Sequence, residues 1–288
     1  MRGLFLSRGV ASVGLASFFS DAGHEMTTAI LPSFVTSVLR GSVVALGLIE
    51  GLSDAILGLA TLAGGVLSND ERRRLQLARG GYLSMAAATG AIGLAAALWQ
   101  VAILRAASWF ARGLRSPARD SMLTSLAPRE AYGRAFGIER AGDNLGAVVG
   151  PLAAAGLVAW LGIRPTLWLA ALPALLAAVA IGVAAAEARR LHSPVRRRAR
   201  LELRALREAG LARPMLPVAL FEISNVSTTL LILRSTDLLD HGGRTLTAAT
   251  SLAVLVYAGH NVVAAGVALA GGRWIDRIGP RPVFAAGA

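Results

Sequence analysis

The sequence predicts an all-α integral membrane protein with about eight transmembrane helices, and three observations predict it. Hydrophobic residues make up 55% of the 288 and charged residues only 16%, with a mean hydropathy of +0.58, far to the apolar side of soluble composition. The apolar residues gather into eight runs, each long enough to cross roughly 30 Å of hydrocarbon at about 1.5 Å per residue. The remaining charges either crowd the joints between runs or stand inside the runs at helical spacing.

Taken in order, the runs cover residues 10–38, 42–67, 79–98, 99–118, 134–161, 164–186, 214–236 and 246–270. Met1-Arg2-Gly3-Leu4-Phe5-Leu6-Ser7-Arg8 has the charge of a signal-peptide start, but no A-x-A site follows a short apolar core. The first run is therefore expected to be retained as a span. Arg72, Arg73, Arg74 and Arg79 follow the second run, Arg115, Arg119, Arg129 and Arg134 the fourth, and the stretch from Arg189 to Arg213 the sixth. The alternate joints offer only Arg40, then no charge at Leu98-Trp99-Gln100, then Arg164, then Asp237, Asp240, His241 and Arg244. This asymmetry predicts that the N-terminus and the even-numbered joints face the cytoplasm. It also accounts for the formal net charge of +12 without a nucleic-acid partner.

The chain is expected to divide into a six-helix transmembrane half at 1–186, a basic cytoplasmic linker at 187–213 and the start of a second transmembrane half at 214–288. Within the linker, Leu203, Leu206 and Ala209 fall at helical spacing among Arg204, Arg207 and Glu208. The pattern fits either a helix lying on the membrane surface or a solvated connector. Cysteine is absent, which excludes disulfides and thiolate metal sites.

The charges inside the runs carry the functional reading. Arg105, Arg112 and Arg119 are spaced by seven, so on a helix they stack along one face about 10 Å apart. A guanidinium within a bilayer costs several kcal/mol unless it meets a partner or a wet cavity. Three pairs of carboxylates at i, i+4 supply partners: Asp21 and Glu25, Glu50 and Asp54, Glu139 and Asp143. By depth, Glu25 and Glu50 are expected near Arg105, and Asp21, Asp54 and Asp143 near Arg112. Arg115, Arg119 and Asp120 flank Pro117, where a solvated helix end with snorkelling side chains is expected. The whole is read as a helical bundle closed around a charged, water-accessible centre.

An internal repeat flanks the linker. Gly64-Gly65-Val66-Leu67-Ser68-Asn69-Asp70-Glu71-Arg72 ends the second run, and Gly271-Gly272-Arg273-Trp274-Ile275-Asp276-Arg277-Ile278-Gly279 ends the eighth. At the same offset Glu50 falls on Tyr257 and Asp54 on Asn261, as a parallel duplication of about six helices requires. At these residues the chain resembles the major facilitator superfamily, whose loop motif after the second and eighth helices runs G-x-x-x-D-R-x-G-R-R. Gly272, Asp276 and Arg277 match it. The first copy keeps Gly65 but has Asn69 for the aspartate, Asp70 for the arginine and Arg72 for the glycine. Arg105 resembles the family's membrane-embedded arginine of the fourth helix, and Gly146-Ala147-Val148-Val149-Gly150-Pro151 its fifth-helix antiporter motif. The combination of Phe18-Phe19-Ser20-Asp21, Leu48-Ile49-Glu50-Gly51 and Arg115-Ser116-Pro117-Ala118-Arg119-Asp120 resembles a bacterial subgroup of poorly defined substrate.

The resemblance implies a helical bundle of that family's type, in the bacterial inner membrane, with twelve helices when complete. The chain is expected to be truncated after the eighth. It further implies a secondary active transporter that moves a small solute by alternating access, with protons as the coupling ion and no cofactor. Export is the leading expectation and uptake by symport the alternative. A receptor or assembly protein on the same fold, or an inactive fragment, is the reading from a different class. An enzyme is not expected, since H-E-x-x-H, G-x-S-x-G and G-x-x-x-x-G-K are all absent. The coupling candidates are the six paired carboxylates with Arg105 and Arg112, each carboxylate being either a titrating group or a permanent ion-pair partner. His24 fits a proton relay or a simple hydrogen bond. Glu222, with Asn225 three residues on, stands in the second half where Asp21 and Glu25 stand in the first, as a substrate or cation ligand or an interhelical hydrogen bond. Gly146, Gly150 and Pro151 fit close packing, with or without a gating kink.

Overall fold

The computed structural model describes residues 7–191 and 246–287, with 234–235 and 238–239 between them. Among these residues the fold is helical throughout, with no strand. The elements are α1 (Arg8–Ser33), α2 (Val43–Leu67), α3 (Glu71–Ala91), α4 (Leu98–Leu126), α5 (Tyr132–Leu161), α6 (Ile163–Leu169), α7 (Ala171–Leu191), α8 (Leu246–Ile278) and α9 (Pro280–Gly287). The linker's amphipathic stretch, Glu222, and the expected span at 214–236 apart from residues 234–235 lie outside the described residues.

The expected runs are all present up to residue 191, with boundaries moved by local chemistry. α3 starts eight residues before its expected span because Asp70 accepts the Arg72 N–H at 3.1 Å and caps the helix ahead of the apolar residues. α4 continues past Pro117 to Leu126, since packing on both sides outweighs the proline's missing hydrogen bond. The expected sixth span divides at Ala170 into α6 and α7. Gly162, at φ 86°, makes the turn into α6, a backbone conformation that suits glycine.

Packing gathers Met1–Arg198 and His260–Ala288 into one unit, and Ala199–Gly259 into another. Within the first, two apolar clusters sit at opposite ends of α1. Val10, Val13, Tyr82, Met122, Leu123 and Ile181 form one; Met26, Leu31, Phe34, Ile92, Val101 and Leu167 are among those forming the other. Between them lies a belt of buried polar groups that includes Ser17, Ser20, Asp21, His24, Arg105, Arg115, Arg119 and Glu139.

The outside is the reverse. Val44, Trp160 and Val179 are 71%, 83% and 66% exposed, an apolar surface that a bilayer solvates and water does not. Among the described residues, four stretches are long and apolar enough to span a membrane by length and composition: Val43–Leu67, Arg129–Leu161, Ile163–Leu191 and Leu255–Ile278. The remaining long helices, α1, α3 and α4, are less apolar. α1 and α4 turn charged residues into the belt; α3 carries its arginines at its N-terminal end.

Glycines bring the helices of the belt into backbone contact. A Cβ at Gly142 would fall against the Gly14 carbonyl, one at Gly146 would come 2.5 Å from the Phe18 carbonyl, and one at Gly150 2.6 Å from that of Ala22. α1 and α5 therefore lie together along a four-residue repeat of missing side chains. α2 meets α4 the same way, with Gly64 over Leu114 and Gly113 over Leu57.

Candidate functional site: a charged belt across four helices

The belt is built on the inward face of α4. Arg105, 1% exposed, donates from Nε to Glu50 Oε1 at 3.1 Å and from Nη2 to Glu50 Oε2 at 3.2 Å. This two-pronged pairing is the strong geometry for a guanidinium and a carboxylate. The same Nη2 donates to Thr28 Oγ1 at 3.1 Å, so α1, α2 and α4 meet at one cation.

One level along, Arg112 pairs with Asp21 at 2.8 Å. Trp109 stands between the two levels. Its ring lies 5.3 Å from Arg105 Cζ and 5.5 Å from Arg112 Cζ, and the His24 ring meets it edge-on at 4.7 Å. Both guanidiniums thus share one aromatic ring as well as having a carboxylate each.

The third level is a ring of charges between α4 and α5. Arg119 Nη2 lies 2.7 Å from Glu139 Oε1, and its Nη1 3.8 Å from Asp143 Oδ1. Arg140 closes the other side, 3.3 Å from both Glu139 Oε2 and Asp143 Oδ2. Ser17 of α1 donates to Glu139 Oε1 at 3.0 Å and accepts from Arg119 Nη1 at 3.1 Å. Asp120, next in the chain, also accepts from Arg119 Nε at 3.1 Å.

Expected partners and found partners agree at Arg105 with Glu50 and at Arg112 with Asp21. Asp143, expected near Arg112, lies within its electrostatic reach and makes its ion pairs with Arg119 and Arg140. Two expectations are corrected. Arg115 and Arg119, expected in a solvated helix end, are 1% and 4% exposed; α4 does not end there, so both are carried into the bundle. Asp54, expected near Arg112, is instead exposed at the level of Glu50 and Arg105, with no ion pair among the described residues. Glu25 is partly buried beside Asp21 on α1.

The motif residues separate in the same way. Asp276 at the end of α8 accepts the backbone N–H groups of Gly133 at 2.7 Å and Arg134 at 3.1 Å, and Arg134 Nε at 2.7 Å. A carboxylate thus caps the N-terminus of α5, where free N–H groups favour an anion. Gly272 makes this approach possible by lying against the Gly133 carbonyl. Arg277 is exposed. In the first copy Asn69 is exposed, Gly65 has open space around it, and Asp70 caps α3 and lies 3.6 Å from Arg73 Nε.

Reading the sequence missed Arg115, Ser17, Ser20, Tyr82 and Trp109 as members of the belt, and set Arg119, though on the right face, at a solvated helix end. Arg115 and Arg119 carried the usable signal, standing three and seven residues from Arg112 on the same helical face.

The family model described as Major Facilitator Superfamily matches residues 13–288. An uncharacterized MFS-type transporter of Methanocaldococcus jannaschii is 32% identical over 145 residues, 50% of this chain and 36% of that protein. The multidrug resistance protein MdtG of Salmonella paratyphi A is 29% identical over 168 residues, 57% of this chain and 41% of that one. The matches thus span well under half the length of these relatives. Among solved structures, the proton:xylose symporter XylE superposes with a TM-score of 0.59 over 96% of this chain and 69% of its own, at 15% identity, which speaks for the fold alone. With a match across nearly its whole length, and with the aspartate of the α8 motif capping α5, the chain belongs to the Major Facilitator Superfamily.

Proposed function

We propose that the chain is part of a secondary active transporter that exports a small solute through alternating access and takes protons as its coupling ion. The observation that carries the reading is the belt itself, with Arg105, Arg112 and Arg119 of one helix paired with carboxylates of α2, α1 and α5 between two apolar layers. Ion pairs of this kind are costly to bury and hold helices rigidly unless the charge on one partner can change. The charge of a carboxylate there depends on access to water and on the distance to its arginine.

Export is preferred over uptake because one relative is a multidrug resistance protein and because α5 has the Gly146-to-Pro151 stretch. Residues 1–186 are taken as the first transmembrane half, 187–213 as a cytoplasmic linker and 214–288 as the opening of the second half. The N-terminus is placed in the cytoplasm of a bacterial inner membrane. Membership in a family of transporters speaks against an enzyme.

The test uses the full-length protein in everted membrane vesicles, with a panel of small organic dyes including ethidium. Asp21→Asn, Glu50→Gln, Asp54→Asn and Asp143→Asn keep shape and remove charge. At least one is expected to abolish uptake driven by a pH gradient while exchange without a gradient survives. Gradient-driven accumulation retained in all four variants at normal expression would make these carboxylates structural.

A further inference from the structure

One cation of the belt lacks the partner that its neighbours have. Arg105 and Arg115 are both 1% exposed, but Arg105 has Glu50, whereas no ion pair joins Arg115 to a carboxylate among the described residues. Arg115 Nη2 donates to Ser20 Oγ at 2.6 Å and contacts Met85 Sδ at 3.6 Å, and its Cζ lies 3.9 Å from the Tyr82 ring centroid. A hydroxyl, a thioether and a ring face compensate poorly for a buried guanidinium, which keeps its charge throughout the physiological range. The place is nonetheless made for it: a Cβ on Gly81 of α3 would come 2.5 Å from Arg115 Cβ.

Two relations tie this cation to the second level of the belt. Ser20, which Arg115 holds, is the residue before Asp21 on α1. On α4, Arg115 stands one turn beyond Arg112, the present partner of Asp21, and Asp21 lies within electrostatic reach of both guanidiniums. Arg119, the next cation along, is taken up by Glu139, Asp120 and Asp143.

We propose that Arg115 is the second counter-ion of Asp21. When Arg112, whose side chain is 21% exposed, is drawn off Asp21, Asp21 turns to Arg115 and is not stranded. Arg115 is in this sense a positioning residue, one that allows Arg112 to let go. The inference takes its purpose from the transport reading, but its test does not depend on transport.

The test is a set of variants of the full-length protein, purified in detergent and followed by thermal unfolding. Arg112→Gln alone lowers Tm by a few degrees, since Asp21 passes to Arg115. Arg112→Gln with Arg115→Gln lowers Tm by at least about 4 °C more than the two single changes added together. Adding Asp21→Asn to that pair recovers the excess, because no carboxylate is then left unpaired. If the double variant yields no folded protein, recovery of a monodisperse peak in the triple variant is the supporting result, and its absence overturns the proposal. Additive single effects that Asp21→Asn does not alter would also overturn it, leaving Arg115 as a mere tether for Ser20 and Tyr82. Transport failing in the vesicle assay while this coupling persists would remove the transport reading and leave the counter-ion assignment in place.

Discussion

At Arg105 the balance of forces is clearest, because burial is complete and the partner is a single carboxylate held by two hydrogen bonds. Removing one member of such a pair strands the other and costs about 3–5 kcal/mol, whereas removing both is far milder. Arg105→Ala is therefore expected to cut the monodisperse yield sharply, and Arg105→Ala with Glu50→Gln to restore a good part of it. Removing carboxylates of α1 or α5 instead is expected to restore little. Gel filtration of the detergent-solubilised variants decides between these outcomes. The pairing was legible in the sequence because Arg105, Arg112 and the i, i+4 carboxylates share helical periodicity. The burial of Arg115 was not, since Ser116-Pro117 reads locally as the end of a helix and only tertiary packing on both sides of α4 keeps it going.

Among the elements, α1 and α5 depend on side chains that are absent. At Gly146 a Cβ would meet the Phe18 carbonyl at 2.5 Å and the Ala22 nitrogen at 2.8 Å, both backbone atoms with no freedom to yield. Gly146→Val is expected to force the helices apart and abolish folded protein. Gly156→Ala is the internal control: nothing lies within 4 Å of it, and helix propensity alone predicts a gain of up to about 1 kcal/mol. Thermal unfolding of the two variants side by side checks both signs. The fifth-helix glycines stood out in the sequence, but their partners on α1 did not, because a glycine names a close approach without naming what approaches. The start of α3 was misplaced for a related reason: hydropathy reports where a helix enters the apolar layer, while Asp70 sets where it begins.

For the whole molecule the governing prediction is orientation. The basic joints predict that Arg74 faces the cytoplasm and that Trp99, in the first turn of α4 beside a chargeless joint, faces outward. The chain has no cysteine, so Arg74→Cys and Trp99→Cys each introduce one reporter. An impermeant thiol reagent is expected to label the second from outside intact cells and the first only after lysis; the opposite pattern would invert the topology.

The placement of Trp109 also makes the belt optically readable. Five tryptophans are present in the chain, and Trp99, Trp160, Trp168 and Trp274 are 63%, 83%, 47% and 56% exposed, open to quenchers in water or lipid. Trp109 is the inward one, with Arg105 and Arg112 over its ring and His24 at its edge. A nearby positive charge shifts indole emission according to which end of the ring it approaches. Once the outer four are quenched with acrylamide and brominated lipid, the residual colour should report how far Arg112 stands from the ring. Asp21→Asn, by loosening Arg112, is expected to move that residual emission, while Asp276→Asn, at the end of α8, is expected to leave it unchanged. The protein thus comes with its own fluorophore at the point where the two levels of charge meet.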